Sequence, residues 1–204
     1  MPYKLVDGPV LVVHIVPTQA ALGLMQVDPT QYQGIRRLPT LGAIGNISLI
    51  NLDCALAARN PDAAGASHGY TQFFRNGILE ATQVLTRTEE AQRATLRSAT
   101  YEHQLSQFLQ AVRDEMTLLG VTNELAVMLS LLRADQARLG VANRDIDDPK
   151  GYFDRETIVL PDVLTQPDMT PVLALKPVFD FMWQSAGFPC SRNFNADGQW
   201  APVV

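Results

Sequence analysis

A chain of 204 residues in which 47% are hydrophobic and 18% charged suits one domain, with a core large enough to stand without disulfide or metal staples. Its 16 Lys and Arg face 21 Asp and Glu, a net charge of −5, and this argues against a nucleic-acid module, which would need clustered basic side chains to neutralise phosphates. No stretch of about 18 apolar residues reads as a membrane span, no secretory leader pattern opens the chain, and the cytoplasm is the expected location.

Cys54 and Cys190, with His14, His68 and His103, show neither a CxxC pair nor zinc-ligand spacing. Two free thiols in a reducing compartment are expected, and no metal or cofactor.

In chain order, "GPVLVVHIVP" (8–17) is a β-branched run between Gly-Pro and Pro, the pattern of a strand buried on both faces. His14 within it reads as a hydrogen-bonded core histidine. Residues 18–45 carry Gly and Pro punctuation without periodicity, "NISLINLDCAL" (46–56) alternates as one strand, and "ARNPDAAGASHG" (58–69) is a loop. "YTQFFRNGILEATQ" (70–83) sets Asn76-Gly77 between two strand-forming runs, which predicts a hairpin with a type I′ turn. In that register Arg75 faces Ile78, Phe74 faces Leu79 and Phe73 faces Glu80. Tyr70, Gln72, Phe74, Leu79 and Ala81 then share the core side, and Arg75 and Glu80 lie in solvent.

"TYEHQLSQFLQAVRDEMTLLG" (100–120) is the clearest helix. Leu105, Phe108, Leu109, Val112, Met116 and Leu119 make one apolar stripe, Thr100 is the expected N-cap and Gly120 the stop. His103 falls on the polar side. Residues 123–140 fit helix by propensity and buried strand by their apolar run, and periodicity does not separate the two. The Asp145, Asp147 and Asp148 cluster lacks the glycine and final glutamate of a calcium loop and reads as solvated. "TIVLPDVL" (157–164) reads as a strand. "LKPVFDFMWQSAG" (175–187) reads as a helix with Pro177 in its first turn and Gly187 ending it, docked on the sheet through Trp183. Beyond it, Phe188, Cys190 and Trp200 are expected to leave an apolar patch able to meet another domain or a second copy. The fold class is α+β: a mixed or antiparallel sheet with two principal helices packed on it, in a single domain spanning 1–204.

No phosphate-binding glycine loop, HExxH or GxSxG motif is present. A Cys54–His68 pairing has no local support, and no catalytic, cofactor-binding or metal-binding residue emerges from the residues themselves.

Four stretches, "GPVLVVHIVP", "INLDCAL", "GYTQFFRNGILEA" and "LKPVFDFMWQSAGFPCS", together resemble the region that follows the AlbA-type Schlafen domain in bacterial proteins described as DNA-binding or transcriptional regulators. In that region a strand ends in a His-x-x-Pro-like pattern, here His14 to Pro17. An Asn-x-Asp-Gly stretch follows, then an aromatic hairpin with a Gly turn and a Glu, and later a Trp helix ending in Gly. The sequence departs at Cys54, where glycine would stand. The resemblance implies a fragment C-terminal to a nucleic-acid-acting Schlafen-like domain lying before Met1, so none of that domain's functional residues has a counterpart here. It implies a non-catalytic accessory module for sensing, oligomerisation or domain contact, with that domain as partner, a homo-oligomer as a further option, and no nucleic acid or membrane bound by this segment. The alternative is a small stand-alone hydrolase with a pocket near His14 or Cys54.

Overall fold

Val10–Pro17 forms the strand its β-branched run calls for, and every later part of the architecture is laid out around it. The computed structural model describes residues 4–32, 37–42, 47–58, 61–85, 93–141 and 150–202. The acidic cluster at 145–148 lies outside them.

The strands are β1 (Lys4–Leu5), β2 (Val10–Pro17), β3 (Ile47–Ile50), β4 (Cys54–Ala58), β5 (Ala66–Ser67) and β6 (Gly69–Phe74). They continue with β7 (Leu79–Val84), β8 (Ala94–Arg97), β9 (Leu125–Leu132), β10 (Ala137–Gly140), β11 (Thr157–Val159) and β12 (Val163–Thr165). The helices are α1 (Thr18–Ala21), α2 (Ser98–Leu118), α3 (Pro171–Ala174) and α4 (Lys176–Ser185). The fold is α+β. Eight strands make one antiparallel sheet in the order β11-β9-β2-β7-β6-β4-β3, with β12 also paired to β9, while β1-β5 and β8-β10 are small parallel pairs.

One face of the sheet carries the main core. Leu11, Val13 and Ile15 from β2, Leu125 to Leu131 in alternation from β9, and Phe73, Leu79 and Ala81 meet the stripe Leu105, Phe108, Leu109, Val112 and Met116 of α2. Residues 125–132 are therefore a strand. Pairing along the full length of β2, from Val10↔Leu132 to Pro17↔Leu125, overrides the helical propensity of that segment. The predicted strand at 46–56 is instead two, β3 and β4, folded back on each other. Helix α2 starts at Ser98, two residues before the expected cap. Arg97, which precedes it, makes no side-chain cap hydrogen bond, and β8 runs directly into the helix.

The hairpin forms, but one residue out of the expected register: Phe73 faces Leu79 and Gln72 faces Glu80. Only Gly77, at φ 85°, takes a left-handed conformation in the turn, whereas a type I′ turn needs two such residues. Neighbouring segments hold the Arg75 backbone, its N–H donating to Asp53 O and its carbonyl accepting from Val27 N–H. The Asn76 side chain accepts from Ile78 N–H. The result is a three-residue loop with Gly77 at its left-handed position. Gly77→Val is expected to cost about 1–3 kcal/mol, from φ strain and from a Cβ that would crowd Met25. Thermal unfolding checks this, and an unchanged melting temperature would contradict the turn geometry.

The tail packs inward instead of forming an exposed patch. Phe188 is buried edge-on against Trp183, their ring centroids 5.3 Å apart, and Trp200 stacks on the exposed His103 at 5.6 Å. Cys190 alone of the three expected patch residues is exposed. At the centre is Glu102 of α2, fully buried. Trp183 Nε1 and Ser191 Oγ donate to its Oε1 at 2.9 and 2.8 Å. Asn193 Nδ2 and Trp200 Nε1 donate to its Oε2 at 2.9 and 2.8 Å. A second buried glutamate on the same helix, Glu115, accepts from the Tyr32 hydroxyl.

Candidate functional site

The register shift gathers polar side chains on the face of the sheet away from α2. His14, Glu80, Gln72 and Leu56 stand opposite one another across four adjacent strands. Tyr70 and Phe74 flank Gln72 along β6, and Cys54 lies opposite Phe74. Because successive strand residues point to opposite faces, a slip of one moves Glu80 from the side of Phe73 to the side of Tyr70 and His14.

Glu80 anchors the cluster. Its Oε2 lies 2.9 Å from His14 Nε2, and its Oε1 accepts from the Tyr70 hydroxyl at 2.7 Å. The His14 hydrogen bond holds the Glu80 carboxyl below its ordinary pKa, with partial burial opposing and the Tyr70 bond reinforcing. Burial, then the neighbouring Glu80, pushes the Tyr70 phenol well up, so it stays a donor. A carboxylate only accepts, so the His14 nitrogen facing it is protonated, and Nδ1 is left without a partner among the described residues. The His14 side chain is 41% exposed, against the core placement expected for it.

Glu80 contributes stability that is present above the ordinary carboxylate pKa and is lost as pH falls through its depressed folded value. Glu80→Gln is thus expected to lose less stability than the parent on acidification below about pH 4. Parallel urea titrations of the two proteins across that range would refute the assignment by giving identical acid slopes.

Cys54 is fully buried, accepts a long contact from Gln72 Nε2 at 3.5 Å, and has its thiol pKa raised chiefly by that burial. Three strand spacings and two residues along β4 separate it from His14, about 16 Å. His68 lies six residues along β6 from the partner of Cys54, about 20 Å away. Neither histidine activates it. Among the described residues, no group of His, Cys, Asp and Glu is placed to hold a metal ion.

On the β6 and β4 side of this cluster the face is buried, with Tyr70, Leu56 and Cys54 covered, whereas on the β9 side its side chains are exposed. Val159, Leu164 and Met128 are exposed at 66%, 58% and 37%. Their register with Ser130, Ala126 and His14 puts all three on the same side as the Glu80 network.

The chain matches no protein-family model, no curated protein and no solved structure. Among the described residues, no helix is long and apolar enough to cross a membrane. Sequence reading missed Glu80, Tyr70 and Gln72 as a polar group. The Asn76-Gly77 pair that gave the hairpin away also suggested the wrong register.

Proposed function

We propose that the chain is a non-catalytic, cytoplasmic accessory module whose open sheet face docks the nucleic-acid-acting Schlafen-like domain of a longer parent protein. The observation carrying this reading is the exposed part of that face: Val159, Leu164 and Met128 beside the His14–Glu80–Tyr70 network. Exposed apolar clusters with a polar margin are characteristic of domain contacts. The net charge of −5 complements a basic nucleic-acid domain and is unsuited to phosphate binding. Two free thiols fit a reducing compartment.

The test pairs the chain with the Schlafen-like domain encoded in the same reading frame. Wild type is expected to bind it at low salt, and Met128→Lys with Leu164→Lys to abolish binding without lowering the melting temperature. Binding that survives both substitutions would overturn the assignment of this face, and self-association abolished by the same pair would assign it to a second copy instead. The chain alone is expected to bind duplex DNA no tighter than roughly 1 μM at physiological salt.

The hydrolase alternative has one observation in its favour: a His–carboxylate pair in which His14 is partly exposed and its Nδ1 has no partner among the described residues. With Cys54 buried and distant, the nucleophile would be water. Ester hydrolysis that disappears in His14→Gln would support this reading over the first.

A further inference from the structure

A second feature lies away from the open face. The C-terminal half of α2, the turn after it and residues 165–171 line an open cavity of about 360 Å³, within the range of small-molecule sites. Among the described residues its wall holds one cation, Arg113, and two carboxylates, Asp114 and Asp168. Arg113 donates through Nη1 to Met169 O and through Nη2 to Gln166 O, tying the loop to the helix. A guanidinium has five N–H groups, so three have no hydrogen-bond partner among the described residues, on a side chain already partly withdrawn from water. Burial lowers the Arg113 pKa, with Asp168 opposing. Asp114 accepts from Gln110, whereas the Asp168 carboxylate makes no hydrogen bond among the described residues.

Thr165 also lines the cavity. It is 1% exposed, and its hydroxyl is buried with no hydrogen-bond partner among the described residues. Buried polar groups are nearly always paired, and an exception calls for an explanation such as an absent ligand.

We infer that this cavity binds a small zwitterion of the α-amino-acid class, its carboxylate taken by Arg113 and the Thr165 hydroxyl and its ammonium by Asp168. Opposite charges in one wall suit a ligand carrying both, and the surplus carboxylate favours a basic side chain. A simple anion would meet two carboxylates, and a simple cation would leave Arg113 and Thr165 unanswered. The site gives the accessory module something to sense without depending on the open face.

The test titrates the full chain separately with each common L-amino acid, and with acetate, putrescine and glycerol, following binding by NMR shifts and thermal stabilisation. A basic amino acid is expected to bind saturably, and the three simpler molecules not to. Thr165→Val keeps the shape and removes the unpaired hydroxyl. It is expected to weaken binding roughly tenfold while leaving the melting temperature of the free chain equal or higher. Asp168→Asn is expected to weaken binding by a similar factor. The inference falls if no amino acid binds at millimolar concentration, if acetate or putrescine binds as well as the amino acid, or if either variant keeps wild-type affinity.

Discussion

Glu102→Ala is expected to lower the unfolding free energy by about 3–5 kcal/mol, because one acceptor shared by four neutral donors is lost and several of those donors are left buried and unpaired. Four donors converge on this carboxylate: two indoles, a hydroxyl and an amide. Ser191, Asn193 and Trp183 are buried, so water does not readily replace the lost acceptor, and each orphaned donor costs about 1–3 kcal/mol. Part of that loss is offset because alanine no longer carries a desolvated charge. Glu102→Gln separates the two effects. Its amide keeps one oxygen for two of the donors but turns an NH₂ group toward the other two, so a loss of about 2 kcal/mol is expected. Equilibrium urea unfolding measures both variants. A glutamine variant as stable as the parent would mean that the donors find other partners and that the cluster does not hold the tail. Against a total stability of about 5–15 kcal/mol for a domain, the alanine change is large.

Deleting residues 188–204 is expected to be at least as damaging, with a loss of about 5 kcal/mol or more and no change in association state. The deletion removes Phe188 from Trp183 and three of the four donors from Glu102, leaving a buried carboxylate bonded to Trp183 alone. It also removes the Ser191 N–H bond to Asp180 and the Phe194 ring beneath the Lys176 ammonium. Burying one large apolar side chain contributes about 1.5–3 kcal/mol, and a stranded charge several more. Thermal unfolding and light scattering on the same sample decide the matter. A shortened chain that stays as stable as the parent but falls to a smaller particle would make the tail a contact surface, against its packing here.

The two predictions meet at one helix. Glu102 and Glu115 sit on α2 among residues that read from sequence as a simple amphipathic stripe. Nothing in the helical spacing marked them as buried, because their partners arrive from elsewhere. Trp183 is 81 residues away, Trp200 98, and Tyr32 83. A glutamate in a helix is ordinarily solvated, and only converging donors make its burial tolerable.

Local chemistry was enough to define β2, β6, β7, α2 and α4, while the single strand read at 157–164 is two, β11 and β12, and β5 lies in the stretch read as a loop. The β-branched run of β2, the stripe of α2, and the Pro177 start and Gly187 stop of α4 depend on short-range sterics and on periods of two or 3.6 residues. The existence of the hairpin also followed from its Asn-Gly pair. Long-range contacts decided the rest. Pairing with β2 turned residues 125–132 into a strand, and the backbone bonds from Val27 and to Asp53 fixed Arg75 inside the turn, shifting the register by one residue. That shift brought Glu80, Tyr70 and His14 together on the face away from α2. Side-chain alternation has a period of two, so one residue of register, invisible to local propensity, reverses which groups meet the core and which meet a partner.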